Sequence, residues 1–418
     1  MQDLENKVLE VVDNKRDEIV GFLRDIVRIP SETGQEETLM EYLGDRLKRM
    51  GFEVDTWRVS EDLLKGHPAF KLIGLRYGER SQLAAVLRGK GGGRSILLNG
   101  HIDTVPPGPP EFWKYGPFEG IVERGRLYGR GAADMKGGLT ALIWAVECIR
   151  EAGAQLKGDI ILEPVIEEEA GGAGTLACLV RGYRADGAIV AEPTNMKLFT
   201  AQAGASWFRI RVSGKATHGC MRNEGVSAAE KAIKIFNSIL KFEKERIRRS
   251  SHRLYKKYRN PCPINIGVFK AGSWPAIVPD QAVLEGRMGL LPGEKFAQVN
   301  KRFERHISTS TKDDPWLKEN PPKIEWFAIW EPCEIPLSHP LVGLARRCFR
   351  RVLGRECEVS GSTYGADMRI LSLYGGIPTI MLGPGDIKHA HFANEFIDLE
   401  DLMNATKVFA LLILRWCG

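Results

Sequence analysis

The chain has 418 residues, 43% of them hydrophobic and 27% charged, a mixture that excludes a disordered or collagen-like polymer. Lysine and arginine number 59 against 53 acids, and the resulting charge of +6 is spread along the chain, which argues against a dedicated nucleic-acid binder. The length exceeds what one core usually serves, so two domains are expected.

Residues 1–27 are charged throughout and read as one amphipathic helix, without the apolar core and cleavage site of a signal peptide. No segment offers the roughly 18 uncharged apolar residues of a bilayer span, so no membrane partner is expected. The glycine-rich RGKGGGR at 88–94 lacks phosphate-loop spacing and reads as a turn between strands. Residues 95–103, 159–166 and 186–191 are apolar runs that suit buried, largely parallel strands. Leu139, Leu142, Ile143, Val146 and Ile149 recur at helical spacing within 135–152. Strands alternating with helices imply an α/β domain covered on both faces.

The pattern changes near residue 200. Phe208, Ile210 and Val212 alternate with Arg209 and Arg211, the period of an antiparallel sheet with one wet face. A helix from about Ser227, strands at 264–269 and 282–288, a helix from about Glu294 and a strand at 323–330 complete a βαββαβ unit. The basic stretch 241–259 reads as a solvated helix end and loop, with an acidic partner as the alternative. After Pro332 the α/β style returns, with helices near 339–353 and 366–374 and a strand at 378–383. The expected architecture is a discontinuous α/β domain with a mostly parallel mixed sheet (1–200 and 331–418), interrupted by an inserted α+β domain (201–330). Eight cysteines from Cys148 to Cys417 form no C-x-x-C pair, so neither a thiolate zinc site nor a disulfide framework is indicated. Reduced thiols in a cytoplasmic protein are the expectation.

Chemistry-bearing residues follow the apolar strands. LNGHIDTVPPG places His101 and Asp103 two apart, on one side of a strand, where a carboxylate can orient an imidazole for a metal. GRGAADMKGG carries Asp134, which could equally be a helix N-cap. VIEEEAGGAG carries Glu167, Glu168 and Glu169, and VAEPT carries Glu192, each after a buried strand where α/β folds place their sites. GPGDIKHAHFANE offers His389 and His391. Mixed nitrogen and oxygen donors without thiolate suit zinc, with manganese or cobalt possible, and many carboxylates with few histidines suggest two metals sharing a bridge.

In this order the five motifs resemble the di-zinc amidohydrolase family of acetylornithine deacetylase, succinyl-diaminopimelate desuccinylase, aminoacylase and glutamate carboxypeptidase. The resemblance runs from about residue 15 to 410. It implies two Zn²⁺ per subunit, replaceable by Co²⁺ or Mn²⁺. His101, Asp134, Glu169, Glu192 and His391 would be ligands, Asp134 bridging, with Asp103 orienting His101 and Glu168 the general base. His391 fits the last ligand better than His389, because it opens the A-H-x-x-N-E arrangement. The inserted domain would form a homodimer, and its GKATHG segment would present His218 to its own or the partner's active site.

Two features depart from the family. Ala276 stands where many relatives carry Asn, and Met288 and Gly289 where an arginine pair grips a substrate carboxylate. Arg287 is displaced by at least one position, which turns it to the other face. Gly365, Asp367 and Arg369 of STYGADMRIL could line the substrate pocket or serve packing. The activity implied is cleavage of a small N-acyl amide of the N-acyl amino acid deacylase type. The alternatives are a formylaminopyrimidine deformylase, a metallo-dipeptidase or carboxypeptidase and, outside catalysis, a metal-free scaffold.

Overall fold

In the computed structural model, which describes residues 2–70, 77–78 and 80–418, the chain divides into two units. The first comprises residues 1–200, 335–360 and 366–418, and the second 201–334 and 361–365. The first unit opens with α1 (Gln2–Asn14) and α2 (Arg16–Arg28), two helices where the sequence suggested one. They bury different stripes, Val8 and Val12 in α1 and Ile19, Phe22, Leu23 and Ile26 in α2, and Lys15 takes up the change of direction. There follow α3 (Glu37–Arg49), β1 (Glu53–Arg58), α4 (Glu61–Leu64), β2 (Ser81–Leu87), β3 (Ile96–His101), β4 (Ile121–Glu123), β5 (Arg126–Tyr128) and α5 (Gly137–Glu151). The stretch closes with β6 (Ile160–Val165), α6 (Ala173–Arg181), β7 (Ala188–Val190) and β8 (Leu198–Gln202), where the chain passes into the second unit.

The second unit contains β9 (Gly204–Ser213), α7 (Ala228–Arg249), β10 (Ile264–Ala271), β11 (Gln281–Leu290), α8 (Phe296–Thr311), α9 (Pro315–Glu319), β12 (Lys323–Trp330) and β13 (Cys333–Glu334). Its antiparallel sheet has the order β10-β11-β9-β12. Phe208, Ile210, Val212, Leu284 and Met288 point from one face into a core shared with Ile235, Ile239, Phe242 and Phe303 of α7 and α8. The chain then returns through α10 (Pro340–Leu353), β14 (Val359–Ser362), β15 (Thr379–Met381), β16 (Phe396–Asp398) and α11 (Leu399–Cys417). The helix expected over 366–374 is shorter than the sequence suggested, with its helical turns at 368–374.

The large sheet runs β1-β2-β6-β3-β7-β15-β8. Its centre is parallel: β3 pairs with β6 and β7, and β15 with β7. Its flanks are antiparallel, β2 on β6, β1 on β2 and β8 on β15. Both faces are covered, so β3 and β6 are buried at every position, the physical reason they read as unbroken apolar runs. The RGKGGGR stretch joins β2 to β3, which are separated in the sheet by β6. A small sheet β16-β5-β4 lies in the first unit as well. Four parallel strands therefore point their carboxyl ends the same way, and the loops leaving them meet at one edge.

Candidate metal centre

His101 ends β3, and its ring is 1% exposed. Its Nδ1 lies 2.8 Å from the backbone oxygen of Asp103, which can only accept, so Nδ1 carries a proton, and in the neutral ring Nε2 is the atom that presents a lone pair. That Nε2 lies 3.1 Å from Asp134 Oδ1. The Asp103 carboxylate stands farther away, with Oδ1 3.6 Å from Nδ1. It accepts instead from the backbone N–H of Glu168 at 3.0 Å and Glu169 at 3.3 Å, and from the Thr33 hydroxyl at 2.9 Å. The same-side argument stops at His101 because the strand stops there. Asp103 orients the imidazole chiefly through its carbonyl and uses its carboxylate to hold the next loop.

Asp134 precedes α5 by three residues and does not cap it, since Lys136 occupies the N-cap. Glu395 fixes its backbone: Glu395 Oε1 accepts the N–H of Ala133 at 3.0 Å and of Asp134 at 3.1 Å, while Arg130 pairs with Oε2 at 2.6 Å. Gly138, in the first turn of α5, lets the helix approach β7; a Cβ there would lie 1.9 Å from the Ala191 oxygen. Glu167 adopts a left-handed φ of 63° and turns away from its two neighbours. It accepts from Tyr77 Oη at 2.6 Å and pairs with Arg80, which also pairs with Glu36. Sequence reading missed this network and the Arg130–Glu395 pair. Only the N-E that closes the last motif hinted at Glu395.

The structure brings the predicted ligands together. Donor atoms of His101, Asp134 and Glu169 lie within 4.8 Å of one another, as do those of His101, Glu168 and Glu192. His391 Nε2 is 2.9 Å from Glu169 Oε1 and 3.4 Å from Asp134 Oδ2. Asp134 thus faces His101 with one oxygen and His391 with the other. His389 instead stacks on Phe396, with ring centroids 4.3 Å apart.

The electrostatics are those of acids crowded without a cation. Burial, then the neighbouring Glu192, pushes Glu168 well above the usual carboxylate range. Burial, then Asp134, does the same to Glu192 and raises Glu169. Burial opposes charge on His101, but its hydrogen bond to Asp134 and the surrounding carboxylates hold it well up. Hydrogen bonds to Asp134 and Glu169 push His391 up to about 10. Glu192 Oε1 is buried with no hydrogen-bond partner among the described residues. Buried like charges and an orphaned carboxylate oxygen are costly unless a cation joins them, and this nitrogen and oxygen donor set fits divalent zinc, cobalt or manganese.

The remaining candidates lie elsewhere. Asp367 is buried, accepts from the Thr175 hydroxyl at 2.5 Å, and is pushed up to about 6 by burial. Arg369 donates to the Gly171 oxygen at 3.3 Å, so both residues brace the loop that carries Glu168 and Glu169. Gly365, in the second unit, lies against Trp330, whose ring a Cβ would meet at 2.7 Å. Also in the second unit, His218 Nδ1 accepts the Cys220 N–H at 3.3 Å and stands 3.0 Å from Cys220 Sγ, which leaves the ring proton on Nε2. The Ala276 carbonyl oxygen accepts the Gly219 N–H at 2.7 Å, beside His218. Met288 is fully buried, and Arg287 points to the other face, over Trp207.

Comparison with known proteins agrees with this geometry. The chain is 31% identical to an N-formyl-4-amino-5-aminomethyl-2-methylpyrimidine deformylase of Bacillus subtilis (strain 168), covering 97% of this chain and 96% of that protein. It is 25% identical to an acetylornithine deacetylase of Photorhabdus laumondii, covering 95% and 97%. Among solved structures, a tripeptidase from Staphylococcus aureus shares the fold, with a TM-score of 0.74 at 23% identity over 96% of this chain and 99% of that one. The family model described as Peptidase family M20/M25/M40 matches residues 97–415. With its candidate metal ligands gathered at the carboxyl edge of a parallel sheet, the chain belongs to Peptidase family M20/M25/M40 and is a metal-dependent hydrolase of that family.

Proposed function

We propose that this protein removes a small acyl group, formyl foremost, from the amide of a small amine that lacks an α-carboxylate. The observation that carries the hydrolytic reading is the buried convergence of His101, Asp134, Glu168, Glu169, Glu192 and His391. Similarity to the Bacillus deformylase supports the formyl group. The absence of an arginine pair at Met288 and Gly289 supports an amine without a carboxylate. It weighs against the N-acyl amino acid reading, as it does against the peptidase reading.

His101, Asp134, Glu169, Glu192 and His391 would hold two Zn²⁺, and Asp134 faces both histidines. When bound, the metals supply Lewis acidity to the attacking water and the amide carbonyl. Glu168 takes a proton from that water and passes one to the leaving amine nitrogen, a task suited to a carboxylate whose burial makes it a stronger base. Asp103 holds the Glu168 and Glu169 backbone so that both side chains face the cluster. His218, protonated on Nε2, donates to the carbonyl oxygen as charge develops there. The second unit serves as lid and dimer surface, in a cytoplasmic homodimer.

The test is a screen of the zinc-, cobalt- or manganese-loaded protein. It sets N-formylaminopyrimidine against N-acetylornithine, N-succinyl-diaminopimelate and dipeptides. Turnover should be highest on the formylated amine, and preference for a dipeptide overturns the deformylase reading. Chelation should abolish activity, and metal should restore it. Glu168→Ala should keep its metal yet lose kcat by about 10²–10⁴. A variant that keeps its kcat removes Glu168 as the base.

A further inference from the structure

We propose that the second unit carries a separate binding site for a small phosphorylated molecule with at least two phosphoryl groups, in two cavities that meet at Arg249 and Arg302. The first cavity, of about 350 Å³, is lined by Arg246, Arg249, Ser250, Ser251 and Arg302 among others. The second, of about 390 Å³, adds Arg305, His306 and Glu245 to the shared Arg249 and Arg302.

Arg246 is a fixed wall: it is 4% exposed, donates to the Gly289 oxygen at 2.6 Å and pairs with Glu294 at 2.6 Å. Arg249, Arg302 and Arg305 are in no ion pair among the described residues. Three guanidiniums therefore face one carboxylate, Glu245, around the second cavity. Arginines in the last turn of α7 are accounted for by the helix dipole alone. That account does not extend to Arg302 and Arg305, which lie inside α8 and line the same cavity as Arg249. All three side chains are exposed, so their mutual repulsion is screened by water, but an anion seated among them is attracted by each. Guanidinium forks match phosphoryl oxygens two at a time, and the Ser250 and Ser251 hydroxyls add neutral donors.

Beside the shared arginines, His306 donates from Nε2 to the Ser238 oxygen at 3.0 Å and packs on Phe242 with centroids 5.2 Å apart. The two rings are tilted by 50° and give the cavity an aromatic edge against which a planar ring can pack, so a nucleoside diphosphate is the simplest ligand offering both parts. A long nucleic acid fits less well, because acids interleave the basic stretch and the chain's charge is only +6.

Calorimetric titration of the metal-loaded protein with ADP, pyrophosphate, citrate and a short single-stranded RNA tests the assignment. ADP and pyrophosphate should each bind at one site per chain, more weakly as salt is raised. Arg249→Glu with Arg302→Glu should weaken both by about tenfold or more while amide hydrolysis is unchanged. Arg305→Gln provides a milder loss should the double variant misfold. Binding unaffected by these changes would place the anion elsewhere, including at the metals, and overturn the site. Citrate binding as tight as pyrophosphate overturns the phosphoryl assignment, and binding of RNA alone overturns the small-molecule one.

Discussion

Glu163 illustrates how a single buried acid ties stability to pH. It lies on β6 at 1% exposure, its Oε2 3.5 Å from Asn99 Nδ2, its Oε1 without a hydrogen-bond partner among the described residues. Burial pushes its carboxyl from 4.5 up to about 8. The folded state therefore keeps a proton that the unfolded chain releases. Stability should fall as pH rises from 4.5 towards about 8 and change no further from this source above that. Glu163→Gln removes the effect. In urea unfolding at several pH values, the variant should gain on the parent as pH rises, by on the order of 5 kcal/mol at most by pH 8. Parallel stability curves for the two proteins would show that Glu163 is not the group responsible. Such a residue gives little signal in sequence, where DIILEPVI looks like any apolar strand with one polar interruption. The ligand acids were legible because they follow such strands directly. The partners that aim them were not, since Glu36 and Arg80 meet across 44 positions and Arg130 and Glu395 across 265.

At the scale of elements, α5 and its approach to β7 connect packing with the site. Gly138 has no room for a methyl group, because a Cβ would sit 1.9 Å from the Ala191 oxygen, next to Glu192. Gly21, within α2, has nothing within 4 Å of its Cβ position. Helix propensity favours alanine at both positions by about 1 kcal/mol. The contrast should reverse the sign: Gly21→Ala should stabilise by about 0.5–1 kcal/mol, and Gly138→Ala should destabilise by about 1–3 kcal/mol. Displacement of the 191–192 backbone should also weaken metal retention in Gly138→Ala alone. Denaturant midpoints and metal content after dialysis measure both, and a stabilised Gly138→Ala that holds its metal defeats the argument. The helical spacing of α5 and the unbroken apolar run of β3 were readable for the same reason that these elements are buried. The sheet β16-β5-β4 was not, because strands of three residues carry no period and Phe396 pairs with Tyr128 across most of the chain.

For the whole molecule, metal should act as a folding ligand of one unit. All the candidate ligands belong to the first unit, delivered by the end of β3, by the loops after β6, β7 and β15 and by the segment before α5. Without metal, these loops hold Glu168, Glu169 and Glu192 together against their mutual repulsion, and protonation relieves it. The metal-free protein should therefore lose stability as pH rises above the usual carboxylate range, since its raised carboxyls keep protons that the unfolded chain gives up. Metal competes with those same protons, so the gain in Tm on adding Zn²⁺ should grow with the same rise in pH. The second unit has its own core of Phe208, Phe242, Leu284 and Phe303, and none of the ligands. Hydrogen exchange should resolve the two. Metal should slow exchange in the segments around 101–104, 132–138, 166–172 and 191–194, and leave α7, α8 and the β10-β11-β9-β12 sheet unchanged. Equal protection across both units would mean that metal stabilises the molecule as one cooperative block rather than through the loops that hold its ligands.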